Sequence, residues 1–206
     1  MPTNHQFDEF FGDRGHSSIY GRMRNPFVES IRLVVRVAET GGFRVALIGG
    51  FALAFYGVQR ATGDVDFLVE ASGSAALHEA LLKAGADCLH LGLDSANYAA
   101  GCSKLTGIDF IYARRARALA MLERAATKPL RGARLAVPVL DREALIGLKL
   151  QAIANAPARR TQDRADIEAL LATGRETLDL ERLRDYYRLF GKEDELENWL
   201  REKKKR

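Results

Sequence analysis

Two carboxylates one residue apart, Asp64 and Asp66, are the residues of this chain best placed to do chemistry, with Gly49-Gly50 a short way upstream. If Asp64-Val65-Asp66-Phe67-Leu68-Val69 is a strand, residues at i and i+2 point to one face, so the two carboxylates project together while Val65 and Phe67 turn away. Like charges held that close repel each other unless a cation lies between them. A hard divalent ion suits the pair: Mg²⁺, or Mn²⁺ in its place, is bound through one or two carboxylates plus the oxygens of a substrate phosphate. Paired glycines fit the same chemistry, because without a Cβ their backbone N–H groups approach a phosphate closely. Taken singly, a Gly-Gly pair is an ordinary turn and an Asp-x-Asp pair an ordinary solvated face. Their combination in a strand, glycine, helix, strand order favours a site.

Further along, Asp109 interrupts the otherwise apolar stretch Gly107-Ile108-Asp109-Phe110-Ile111-Tyr112 and faces opposite to Ile108 and Phe110. A carboxylate in a buried strand is costly without a cation. Its alternative reading is an edge-strand residue paired with Arg114 or Arg115. Downstream, Asp163, Asp166, Ile167 and Leu170 share one face of a helix starting near Thr161, and carboxylates on an apolar stripe usually have a partner. Lys149 lies on the preceding helix, among Leu145, Ile146, Leu148 and Ile153.

The elements that must position these residues form an alternating series. Pro26 opens a helix whose apolar residues Phe27, Ile31, Val34, Val35 and Ala38 recur at helical spacing, and Gly41-Gly42 closes it. Arg44 to Ile48 alternates as a strand, Gly49-Gly50 is expected to turn, and Phe51 to Tyr56 reads as a short apolar helix ending at Gly57. After the Asp-x-Asp strand, Ser72-Gly73-Ser74 offers an N-cap to a helix with Leu77, Leu81 and Leu82 on one face, ending near Gly85. His78 on that helix reads as a satisfied or solvated side chain. Two short strands follow, Asp87 to Leu91 and Asn97 to Cys102, then the Asp109 strand, a basic helix over Arg114 to Arg124, and a strand over Leu135 to Leu140. Asp141 is placed to N-cap the Lys149 helix. Tyr186, Tyr187, Phe190 and Trp199 belong to C-terminal helices as packing residues, and the tail from Arg201 to Arg206 is expected to fray.

The expected organisation is an irregular arm over 1–25, an α/β core with a mixed sheet over 26–140, and a helical bundle over 141–206. His5 and His16 in the arm carry no ligand pattern. A chain of 206 residues with 47% hydrophobic residues buries a real core. The balance of 31 Lys and Arg against 27 Asp and Glu, net +4, permits a polyanionic partner without requiring one. Cys88 and Cys102 lack metal spacing and read as reduced, apolar fillers of strands. No apolar leader and no membrane-length run is present in the sequence, so a cytoplasmic location is expected.

Gly49-Gly50, a spacer of thirteen residues, then Asp64-Val65-Asp66 resembles the signature of the nucleotidyltransferase superfamily with the DNA polymerase β-like fold. The wording Gly49-Gly50-Phe51-Ala52-Leu53 with Arg60-Ala61-Thr62-Gly63-Asp64-Val65-Asp66 is similar to the AbiEii-like and MenT-like toxin branch. The resemblance runs from about Arg44 to Leu171. It implies that Asp109 is the third carboxylate of a metal site with Asp64 and Asp66. It also implies that Gly49, Gly50, Arg60 and Thr62 serve the nucleotide and that Lys149 contacts its triphosphate. Asp163 or Asp166 then orients Lys149 or holds the helices together; Gln162 stands where the family more usually has Lys or Arg. The implied reaction moves a nucleoside monophosphate from an NTP to an acceptor hydroxyl, with RNA, tRNA first, as acceptor and a cognate antitoxin as partner. Two rival readings are a small-molecule, antibiotic-type nucleotidyltransferase and a non-catalytic nucleotide- or partner-binding module.

Overall fold

In the computed structural model of the protein, the described residues are 25–156, 160–174 and 177–204. The expected N-terminal arm, with His5 and His16, lies outside them almost entirely. The described chain divides into two compact units. The first holds the described residues up to Ala52 together with Gln59–Leu140, and the second holds Leu53–Val58 together with the described residues from Asp141 onward.

The first unit opens with helix α1, Pro26–Gly41. Its start is fixed by Asn25, whose side chain accepts a hydrogen bond from the Phe27 N–H at 3.0 Å, and by Pro26, whose missing N–H costs nothing there. Its end is fixed by Gly42 at φ 67°, a left-handed position that a side chain would disfavour. Ile31 and Val34 are fully buried and Val35 and Ala38 nearly so. Burying each of the larger side chains contributes roughly 1.5–3 kcal/mol.

The described residues then build a seven-stranded sheet in the order β3-β4-β5-β2-β1-β7-β6. The strands are β1, Val45–Ile48; β2, Asp64–Glu70; β3, Asp87–Leu91; β4, Ser95–Ala99; β5, Gly107–Ala113; β6, Ala126–Pro129; and β7, Ala136–Val139. Pairs β2–β5 and β1–β7 are parallel and the others antiparallel, so the sheet is mixed, as the sequence predicts. Helix α2, Gly49–Ala54, follows β1; α3, Ser74–Lys83, follows β2 after a 3₁₀ turn at Ala71–Gly73; and α4, Ala116–Glu123, follows β5. One sheet face is apolar: Val65, Phe67, Ile108 and Phe110 are all at most 1% exposed, and the rings of Phe67 and Phe110 lie 6.1 Å apart.

Several local expectations are corrected. Gly49-Gly50 is the first turn of α2 and not a turn before it. No side chain caps α3, and Leu82 is 47% exposed while Leu77 and Leu81 are buried. Cys102 lies in a turn rather than a strand, and both free cysteines are exposed, so neither is a filler. Strand β6 has no counterpart among the predicted elements: its residues Ala126-Thr127-Lys128-Pro129 have no period-2 pattern and pair through a hairpin with β7. His78 is satisfied, its Nδ1 lying 2.8 Å from the Tyr98 hydroxyl.

The second unit is helical apart from its loops, with α5, Arg142–Asn155; α6, Arg160–Thr173; α7, Leu180–Leu189; and α8, Glu193–Lys204. Asp141 caps α5 by accepting from the Ala144 N–H at 2.8 Å, as its position predicts. Arg182 ties this cap to α7, bonding Asp141 at 2.6 Å and Glu143 at 3.1 Å. Tyr186 and Tyr187 are buried in packing roles. The tail does not fray at Arg201; α8 continues through Lys204.

Candidate active site

Strands β2 and β5 lie side by side in parallel with Asp66 opposite Asp109 and Asp64 opposite Gly107. Alternation along β2 turns Asp64 and Asp66 to one face, and Asp109 shares it, because residues opposite one another on adjacent strands face the same way. Val65, Phe67, Ile108 and Phe110 hold this arrangement by filling the other face. Strand β5 is internal, between β4 and β2, so the edge-strand reading of Asp109 is overturned. Arg114 does not pair with it; its Nε donates to the Leu93 carbonyl at 2.8 Å.

Glycines make room for these carboxylates. Gly49 has φ 63°, and a Cβ built on it would collide with the carboxylate of Asp66; a Cβ on Gly107 would collide with that of Asp64. Gly50 faces Thr62 and Arg60, with its Cβ position 2.9 Å from Thr62 Cβ and 3.0 Å from an Arg60 Nη. The Thr62 hydroxyl in turn donates to the Asp64 carbonyl at 3.2 Å, which fixes the entry to β2. Gly49, Gly50, Arg60, Thr62, Asp64, Asp66 and Asp109 are thus neighbours in space as well as in motif.

Asn97 escaped the sequence reading. It sits opposite Asp109 on β4, and its Nδ2 donates to Asp109 Oδ1 at 2.7 Å. The bond fixes the orientation of the carboxylate through one of its oxygens. An amide in a short strand twelve residues away carries no local signal. Only the pairing of β4 with β5 brings it there.

Asp64 has its pKa raised, first because its surroundings remove part of its water and second because the charge of Asp109 acts on it. Among the described residues, no group of three or more His, Cys, Asp or Glu side chains has the geometry to hold a metal ion by itself. The donors nevertheless fit a hard cation. They are all carboxylate oxygens on one face, their mutual repulsion is the kind a cation relieves, and Mg²⁺ characteristically completes its shell from water and substrate phosphates.

The remaining sequence candidates belong to the second unit. Lys149 is 9% exposed, and its Nζ donates to Asp163 Oδ1 at 3.0 Å and Asp166 Oδ2 at 2.5 Å, joining α5 to α6. Gln162 Nε2 donates to the other oxygen of Asp166 at 3.1 Å. Both aspartates are 3% exposed, so both are partners of Lys149 and neither stands apart.

No protein-family profile matches the chain, and no curated protein does. Solved structures do. The solution structure of the antibiotic-resistance factor ANT(2'')-Ia is similar with a TM-score of 0.58 at 15% identity, over 85% of this chain and 98% of that one. The crystal structure of ANT(2'')-Ia in complex with adenylyl-2''-tobramycin gives a TM-score of 0.54 at 16% identity, over 79% and 95%. An antigenic nucleotidyltransferase-like protein from Paracoccidioides brasiliensis gives 0.51 at 16% identity, over 84% and 91%. The chain therefore has the fold of the nucleotidyltransferases.

Proposed function

We propose that the protein is a metal-assisted nucleotidyltransferase that moves a nucleoside monophosphate from an NTP to an acceptor hydroxyl. The observation that carries this is the row of Asp64, Asp66 and Asp109 across two parallel strands, with glycines giving way to two of the carboxylates. Asp64 and Asp66, with Asp109 beside them, would hold a divalent ion, whose contribution would be to neutralise charge on the substrate phosphates. Asp109, oriented by Asn97, receives the proton of the acceptor hydroxyl. That oxygen bonds to the α-phosphorus, the bond from phosphorus to the bridging oxygen breaks, and pyrophosphate leaves. Gly49, Gly50, Arg60 and Thr62 position the nucleotide. The role of Lys149 in this scheme is to hold α5 and α6 together through Asp163 and Asp166, with contact to the triphosphate as the further role its motif implies.

For the acceptor we favour RNA, with tRNA first, and a growth-inhibiting role countered by an antitoxin; the Arg60-Ala61-Thr62-Gly63-Asp64-Val65-Asp66 wording supports it. A small-molecule acceptor is the second reading, favoured by the likeness to ANT(2'')-Ia over nearly that protein's whole length. The test is incubation with each NTP, labelled at the α-phosphate, and Mg²⁺, with total RNA in one arm and an aminoglycoside panel in the other. Label in RNA supports the first reading and a mass gain of one nucleotide on an aminoglycoside the second. No transfer in either arm, with no pyrophosphate released, would overturn the enzyme reading.

A further inference from the structure

A cavity of about 1060 Å³ runs along the outer side of α1 in the first unit, between that helix, the β4–β5 connection and the β6–β7 turn. It is slightly larger than the roughly 300–1,000 Å³ usual for a small-molecule pocket. Its charge is one-sided. Arg32, Arg36, Lys104 and Arg134 line it against the single carboxylate of Glu29, which is 3.9 Å from Arg32. Arg32 and Arg36 are one helical turn apart and so stand in a row, while Lys104 and Arg134 come from the two connections. Arg36, Lys104 and Arg134 are exposed and Arg32 half-buried, so the charges reach solvent.

The cavity adjoins the beginning of the β2–β5 pair. Lys104 and Leu105 lie on its wall, and the next residue, Thr106, joins three elements: its N–H donates to Ser30 Oγ in α1 at 3.0 Å, and its hydroxyl donates to the Gly63 carbonyl at 2.8 Å. Asp64 follows Gly63, and Gly107 opposite it follows Thr106.

We propose that this cavity holds the sugar-phosphate backbone of a single-stranded RNA segment of the acceptor. A polycationic aminoglycoside would be repelled by such a wall, whereas a polyanion gains from each cation it meets. Among the described residues the lining has no aromatic ring on which a base could stack, so contact is to phosphate and is tolerant of sequence. The choice of RNA as the polyanion rests on the nucleotidyl-transfer reading; the cavity as a polyanion site does not.

The experiment measures binding of a fluorescent single-stranded RNA oligonucleotide to the full chain by anisotropy over a salt series, with no nucleotide present. The test variant is the triple neutralisation Arg36→Gln, Lys104→Gln, Arg134→Gln, all at exposed positions. A control of equal charge change, Arg115→Gln, Arg117→Gln, Arg188→Gln, keeps the net charge matched. The expected result is a several-fold loss of affinity in the cavity variant, with the slope of log affinity against log salt falling by about 0.7 for each phosphate no longer neutralised. The control should bind as the parent does. Equal losses in both variants, an unchanged cavity variant, or no RNA binding by the parent protein would each overturn the proposal. Loss confined to the cavity variant, in a protein that transfers no nucleotide to any acceptor, would leave the polyanion site standing and remove the transferase reading instead.

Discussion

Asp64, Asp66 and Asp109 are three like charges gathered before any substrate arrives, and that sets a sign for two tests. Because the pKa of Asp64 is raised in the folded protein, its ionisation opposes folding: the cost is absent below the ordinary aspartate value of about 3.9, builds up between that and the raised value, and is fully present above it. Asp64→Asn should therefore melt no lower than the parent, and somewhat higher, at neutral pH in the presence of a chelator. The difference should vanish in acid, and transfer activity should be abolished. Thermal melts across pH with and without Mg²⁺ check this; a large loss of melting temperature in chelator would show that Asp64 is structural. Asn97→Ala addresses the neighbour the motif omits. Losing the bond to Asp109 frees the carboxylate to rotate, and the expected outcome is a fall in kcat with little change in KM for NTP, measured by steady-state pyrophosphate release. Asn97→Asp should be worse than alanine, because it adds a fourth charge beside Asp109.

At the scale of elements, Lys149 couples α5 to α6 through two buried carboxylates. Removing one partner of a buried ion pair typically costs about 3–5 kcal/mol, since the remaining charges stay uncompensated. Lys149→Met should lower the melting temperature by roughly 10 °C, at about 2–4 °C per kcal/mol for a chain of this size. Adding Asp163→Asn and Asp166→Asn to it should restore part of that loss. KM for NTP, measured where the variant is still folded, reports separately on any phosphate contact. The elements read most directly from the sequence are those whose signals are local. Asn25-Pro26 and Gly41-Gly42 bracket α1, Asp141 caps α5, and the apolar alternation of Gly107–Tyr112 marks β5 with its one odd carboxylate. What escapes is non-local. Strand β6 exists because β7 pairs with it, the exposure of Cys88 follows from β3 lying at the sheet edge, and the partner of Asp109 is chosen by strand order.

For the whole molecule, the growth effect is the decisive biological readout. Expression in a bacterial host should slow growth when Asp64, Asp66 and Asp109 are intact and should not when any one is replaced by asparagine, scored by growth curves at matched protein levels. Robust growth with active enzyme would remove the toxin role and leave nucleotidyl transfer. Among the described residues, no helix is long and apolar enough to cross a membrane.

The pairing of Asp66 with Asp109 joins stretches far apart in the chain, and it makes the site sensitive to odd and even shifts in different ways. Sliding β5 by one residue along β2 would bring Ile108 or Phe110 to the carboxylate face and drive Asp109 into the apolar layer, so the core vetoes it. Sliding by two would keep the layer content and carry Asp109 level with Asp64 or Leu68. The hydrophobic layer therefore enforces parity alone, and the finer setting falls to the small contacts at the start of the pair, where Thr106 holds Gly63 and Asp64 crowds Gly107. The far end of β5 has its own anchor in the Leu93–Asp94 turn, where the Asp94 carbonyl accepts from the Tyr112 N–H at 2.9 Å and the Leu93 carbonyl from Arg114 Nε at 2.8 Å, so a length change in that turn would pull on the register from the opposite end.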